Sequence, residues 1–188
     1  MSSFTRKAIM RSCVRLLEER PVDKITVKDI VEDCGINRNT FYYHFADLPS
    51  LINAIMQEEV ERIIREKYDG NSLWECLESA IRVALNHRRA VLHLYQSANR
   101  VMLEQHLFMI SQSVVTRYVD RVCQSLGDAP VSGDDKRIVI QAYTCESVGQ
   151  IMHWMNGGMK DDFEKDMIRL CRLREGVTRQ MLLKSAEG

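Results

Sequence analysis

Apolar positions recur at helical spacing along nearly the whole chain, and no strand-like alternation persists for more than a few residues. Residues 4–19 place Ile9, Cys13, Leu16 and Leu17 on one face, and Pro21 ends that helix. Val27, Ile30 and Val31 give the next helix its buried stripe, and Phe41 and Phe45, four apart, do so for the one after. From Asp47 to about Lys67, Leu51, Ile52, Ile55, Met56, Val60, Ile63 and Ile64 predict a long helix, stopped by Asp69-Gly70-Asn71-Ser72. Leu73 to about Ala98 follows, with a possible break at Asn86-His87-Arg88, and then Val101 to Leu126. Gly127 to Gly133 reads as the strongest linker; Asp134 to Asn156 is a helix ended by Gly157-Gly158, and Asp162 to Ser185 is the last. The pattern predicts an all-α fold of about nine helices.

Within it, Thr26–Phe45 stands apart because its last helix has a polar outer face. Thr26 with Asp29 three residues on forms a capping-box pattern, Gly35 permits a left-handed turn, and Asn37 is a natural N-cap. With Phe41 and Phe45 facing inward, Arg38, Asn39, Tyr42 and Tyr43 point out. Two helices joined by a glycine-containing turn, the second short and polar, predict a DNA-reading helix-turn-helix. The expected organisation is a three-helix DNA-binding domain over residues 1–46 and a helical regulatory and dimerisation domain over 47–188.

Charge changes this picture only locally. Lys plus Arg is 26 and Asp plus Glu is 26, so the net charge is zero, which does not favour a nucleic-acid partner. DNA responds to local charge, however, and Thr5–Arg15 holds Arg6, Lys7, Arg11 and Arg15 with no acid, as a helix crossing the phosphate backbone would. The six cysteines are scattered, without C-x-x-C or zinc spacing, and act as small reduced hydrophobes; no metal or cofactor is expected. No signal peptide or run of about 18 apolar residues is visible, so a cytoplasmic chain without a membrane partner is expected.

The run T-V-K-D-I-V-E-D-C-G-I-N-R-N-T-F-Y-Y-H-F resembles the signature of the TetR/AcrR family of bacterial transcription regulators, with Thr26, Ile30, Gly35, Thr40, Tyr42, His44 and Phe45 in register. His153-Trp154 and Gly157-Gly158-Met159 are similar to the family's C-terminal half, and F-Y-Y-H-F-A-D with W-x-x-x-G-M resembles the branch of dihydroxyacetone-kinase regulators. The resemblance implies Lys28, Arg38, Asn39 and Tyr43 as base-edge readers and Thr26, Thr40, Tyr42 and His44 as phosphate contacts. The residue types suit those tasks, since Arg or Lys matches guanine, Asn matches adenine and an aromatic ring packs on a thymine methyl. Against this, Thr26 serves equally as a plain N-cap, and His44 as a packed surface histidine. One departure stands out: Leu48 occupies the position where the family carries a phosphate-binding lysine, leaving backbone N–H groups at that helix start as a substitute.

One short helix makes few contacts, so a homodimer reading an inverted-repeat operator in double-stranded DNA is expected, bound at the bacterial nucleoid. A hairpin of the last two helices suits the interface, with small Ala142, Cys145 and Gly149 and apolar Met152, Met155, Ile168, Val177 and Met181, unless these pack within one chain. The resemblance further implies an effector pocket in residues 73–126, whose occupancy shifts the fourth helix and the half-site spacing. Trp74, His93, Tyr95, Met102, His106, Phe108, Met109 and Tyr118 are candidate walls for an unidentified small-molecule or protein effector, ordinary core being the competing role. The function expected is an effector-controlled repressor; the alternative is a helix-turn-helix-derived interaction module or activator with a protein effector. Without a nucleophile elbow, phosphate loop or H-E-x-x-H, catalysis is not expected.

Overall fold

The computed structural model of the chain describes residues 2–65, 73–127, 130–160 and 162–185. Among them every regular element is helical: α1 (Ser2–Glu19), a 3-10 turn (Val22–Lys24), α2 (Val27–Cys34), α3 (Arg38–His44), α4 (Leu48–Arg65), α5 (Leu73–Asn86), α6 (Arg88–Tyr95), α7 (Arg100–Ser125), α8 (Gly133–Asn156), α9 (Phe163–Leu173) and α10 (Val177–Ser185). The stop at Asp69–Ser72 and the Asp128-Ala129 part of the linker lie outside the described residues.

Two helices divide where continuous ones were conceivable. The break at Asn86–Arg88 forms, with His87 at φ −116° and ψ 35° separating α5 from α6. The single helix expected over 162–185 is instead α9 and α10. Arg174 closes the end of α9, its N–H donating to the Leu170 and Cys171 carbonyls, and Gly176 at φ +78° takes the left-handed conformation that a side chain would disfavour. Apolar spacing runs through this joint almost unchanged, so periodicity alone does not reveal it.

The chain forms two compact units. One consists of the residues up to Arg62 together with Val83–His106. Its core is built on Ile9, Cys13, Ile30, Phe41 and Leu51, each fully buried, and α6 adds Ala90 and Leu94. Burial pushes the Cys13 thiol up to about 12, with Cys34 adding to the shift, so Cys13 stays a neutral packing group. The His93 Nδ1 lies 2.6 Å from the Leu17 carbonyl, satisfying one of the orphan acceptors at the C-terminus of α1, and the His87 Nδ1 lies 3.3 Å from the Glu18 carboxylate.

The other unit consists of Ile63–Arg82 and the chain from Leu107 onward. Val115, Val119, Val139, Tyr143 and Leu182 form one of its cores. Trp154 and Phe163 stack with centroids 4.7 Å apart, and Lys136 pairs with Asp120 at 2.7 Å. Met155, expected at a subunit interface, is only 5 % exposed, because its position on α8 turns into its own chain rather than away from it.

Candidate nucleic-acid interface and ligand cavity

The helix-turn-helix is held by two caps. The Thr26 N–H donates to Asp29 Oδ2 at 2.8 Å and the Asp29 N–H donates to Thr26 Oγ1 at 3.2 Å, completing the capping box of α2. The Asn37 Oδ1 accepts from the Thr40 N–H at 2.8 Å at the start of α3, and Gly35 at φ +67° makes the turn between the helices. Phe41 and Phe45, with rings 6.0 Å apart, are buried and fix the rotation of α3. That rotation leaves Arg38, Asn39, Tyr42 and Tyr43 on the solvent side, Tyr43 at 76 % exposure and Tyr42 at 54 %. Aromatic rings this exposed add little to the core, so their open surface is available to another molecule.

The remaining assigned contacts are less open. Lys28 is exposed with its Nζ 3.7 Å from Glu32. The Thr26 hydroxyl donates to Asp29 Oδ2 at 2.7 Å, and the Thr40 hydroxyl donates to Asn37 Oδ1 at 3.0 Å. Either hydroxyl must exchange that bond to donate to a phosphate. His44 is half-buried, its ring set edge-on to Tyr43 at 5.0 Å.

The α1 bases are not all free. Arg6 pairs with Glu58 and lies 5.4 Å over the Phe45 ring, and Arg15 pairs with Asp33 as well as with Glu19 at 2.8 Å. These two guanidiniums hold the domain together, which leaves Lys7 and Arg11 as exposed α1 cations with no carboxylate partner among the described residues. At the start of α4, Ser50 N–H donates to Asp47 Oδ1 at 2.8 Å and the Asp47 N–H donates to Ser50 Oγ at 3.1 Å. A carboxylate therefore already occupies that helix start and Pro49 has no N–H, so the backbone groups there do not stand in for the absent lysine. Leu48 instead packs against the apolar core.

The capping box also has a pH signature. The Thr26 hydroxyl, then its backbone N–H, hold the Asp29 carboxyl below its ordinary value, with Arg20 adding a smaller pull. A carboxyl lowered by folding stabilises the fold fully above its unfolded value of about 3.9, and the contribution is lost as pH falls through the folded value. Asp29→Asn should therefore flatten the acid limb of the stability curve below about pH 4, read by urea unfolding from pH 6 downward. Thr26→Ala should cost about 1 kcal/mol at neutral pH.

A cavity of about 590 Å³ opens within the C-terminal unit, lined from α5 by Leu73 and Trp74, from α7 by Tyr118, from α8 by Tyr143 and Ser147, and from α9 and α10 by Met167, Cys171 and Thr178. Of the residues expected to wall an effector pocket, Trp74 and Tyr118 line this cavity. His93, Tyr95, Met102 and His106 belong to the N-terminal unit, where Tyr95 is buried beneath Arg100 at 4.3 Å and the His106 Nδ1 bonds the Met102 carbonyl at 2.8 Å. Phe108 and Met109 are exposed instead. Ile168, expected at the dimer interface, lines the cavity. Tyr143, Ser147 and Thr178 escaped sequence reasoning, since no local pattern links three positions brought together only by helix packing.

The family model for bacterial regulatory proteins of the tetR family matches residues 9–55, and a model for a transcriptional regulator C-terminal region matches residues 71–175. The chain belongs to the TetR family. Its relatives include the HTH-type transcriptional regulator UidR of Escherichia coli (strain K12), 22% identical over 180 residues, covering 92% of this chain and 89% of that protein. The tetracycline repressor protein class D of Escherichia coli is 27% identical over 104 residues, 55% of this chain and 46% of that protein. The solved structure of the dihydroxyacetone kinase operon activator DhaS has the same fold, with a TM-score of 0.74 over 95% of this chain and 96% of that chain at 16% identity. The TetR-family chain is thus a helix-turn-helix DNA-binding transcription regulator, and the family is non-enzymatic. Among the described residues no helix is long and apolar enough to cross a membrane.

Proposed function

We propose that this TetR-family regulator is a cytoplasmic homodimer that represses transcription by reading an inverted-repeat operator, under the control of an effector held in the C-terminal cavity. The observation that carries the DNA reading is the uncovered Arg38, Asn39, Tyr42 and Tyr43 face of a short helix capped at one end and anchored by Phe41. Residues 1–46 are its reading head, and 47–188 dimerise and sense.

Dimerisation is supported by the outer face of α8, where Ile138 (53 % exposed), Ala142, Cys145 and Gly149 form an uncovered stripe at helical spacing. Small side chains there let a second helix approach closely, and exposed Val177 and Met181 on α10 add apolar surface. Ala142→Arg should place a charge in that contact and yield a monomer by light scattering at micromolar concentration, with the urea midpoint of the chain little changed. A dimer unaffected by this change would move the interface elsewhere.

The function itself is tested by band shift on the DNA flanking the chain's own gene, which should give an inverted-repeat site bound at nanomolar protein. A reporter gene behind that site should fall in expression when the regulator is supplied. A rise would reassign it as an activator. Failure to bind any specific site would sink the reading.

A further inference from the structure

The cavity's lining carries a charge preference. It is of the size that holds a drug-like molecule, and Trp74, Tyr118, Tyr143 and Met167 give it an apolar and aromatic interior. The Thr178 hydroxyl sits between the Tyr118 and Tyr143 phenols, 3.1 and 2.9 Å away, so these three polar groups satisfy one another. Ser147 does not share in this: it is 3 % exposed, lines the cavity, and its hydroxyl makes no hydrogen bond among the described residues, which leaves that hydroxyl for a ligand.

Around this interior stand five carboxylates, Glu75, Glu78, Glu146, Glu164 and Glu175, against two guanidiniums, Arg172 and Arg174. Arg174 is held by Glu146 at 2.6 Å, which neutralises it as an anion receptor. That pairing raises the Arg174 guanidinium further, the hydrogen bond it donates to Glu146 being the largest cause, so its charge is fixed where it is. Glu78 is matched by Arg82. Glu164 and Glu175 form no ion pair among the described residues, and Arg172 is the single remaining cation of the lining. An anionic ligand entering here meets surplus like charge, whereas a cation gains carboxylates at the rim and aromatic rings within.

We propose that the cavity takes an organic cation, an amine or quaternary ammonium on an apolar body, with Glu164 and Glu175 attracting the charge and the Ser147 hydroxyl accepting or donating one hydrogen bond. This rests on the cavity being the effector site. The probes are a matched pair: dansylcadaverine, which carries an ammonium, and dansyl-6-aminohexanoate, which carries a carboxylate on nearly the same skeleton. In fluorescence titrations of the full chain, the ammonium probe should bind at least about tenfold more tightly than the carboxylate probe. Glu164→Gln with Glu175→Gln, both at exposed positions, should weaken the ammonium probe by roughly fivefold per carboxylate while leaving the carboxylate probe no weaker. Equal or tighter binding of the carboxylate probe would overturn the proposal. So would an ammonium affinity unchanged in the double variant, or no binding of either probe. The operator band shift without probe reports separately on DNA reading. A cation that binds as expected yet leaves that shift unaltered would refute the effector role and keep the cation site.

Discussion

Arg38→Ala and Tyr43→Ala are each expected to weaken operator discrimination strongly without lowering the stability of the chain. Both side chains lie on the solvent side of α3, and Tyr43, 76 % exposed, sets its ring edge-on to His44. Their removal leaves the core rings Phe41 and Phe45 in place, so the urea midpoint should hold. A bidentate base contact is worth about 1–3 kcal/mol of discrimination, and a dimer loses it at both half-sites. Even the lower figure doubled corresponds to about thirtyfold in affinity. The loss should fall on the specific site and spare random DNA. Lys7→Ala should behave oppositely, weakening all DNA alike and reducing the salt slope by about one per chain, as removal of a phosphate contact does. If Arg38→Ala binds operator and random DNA with the native ratio, the base-reading face lies elsewhere.

Phe41→Ala is expected to cost about 3–5 kcal/mol of stability, more than any other substitution proposed for this chain costs in folding. Phe41 is fully buried, meets Tyr42 edge-on at 5.5 Å and packs into the cluster containing Ile9, Cys13 and Ile30. Its loss would leave a cavity beneath the middle of α3. A seven-residue helix does not persist in water by itself, so its shape is borrowed from this anchor. Against a typical total of about 5–15 kcal/mol, such a loss should unfold the N-terminal unit first. Hydrogen exchange should show α2 and α3 losing protection well before the α8 core, and operator binding should disappear with them. Phe41→Leu, which keeps apolar volume, should retain most of both. A Phe41→Ala chain with native protection in α3 would mean that the caps alone hold the reading helix.

The contrast between these two changes separates reading from folding. On the proposed reading the exposed Tyr43 serves recognition and not stability, while Phe41, two positions before it, serves stability and touches no base. Helical periodicity explains this, since two residues along a helix turn a side chain by about 200°, from core to solvent.

The features legible before folding are local. The apolar stripes, the Thr26 and Asn37 caps and Gly35 each depend on residues within four positions, and each forms where the spacing places it. The same is true of the exposed face of α3. Whatever depends on distant partners is set by helix packing. Whether an arginine of α1 faces phosphate or a carboxylate is set by Glu58 and Asp33, 52 and 18 positions away from Arg6 and Arg15, and no period announces such pairs. Asp47 closing the start of α4 is visible in the sequence as D-x-x-S, yet its consequence, the loss of an anion site at Leu48, needs the helix boundary to be known. Likewise the cavity gathers Trp74, Tyr118, Tyr143 and Thr178 from four helices, and His93 and His106, which look alike in sequence, are drawn off to bond backbone carbonyls of the other unit. Side-chain periodicity tells which residues of a helix are buried; it does not tell against what, and a ligand site is defined by what is left uncovered between helices.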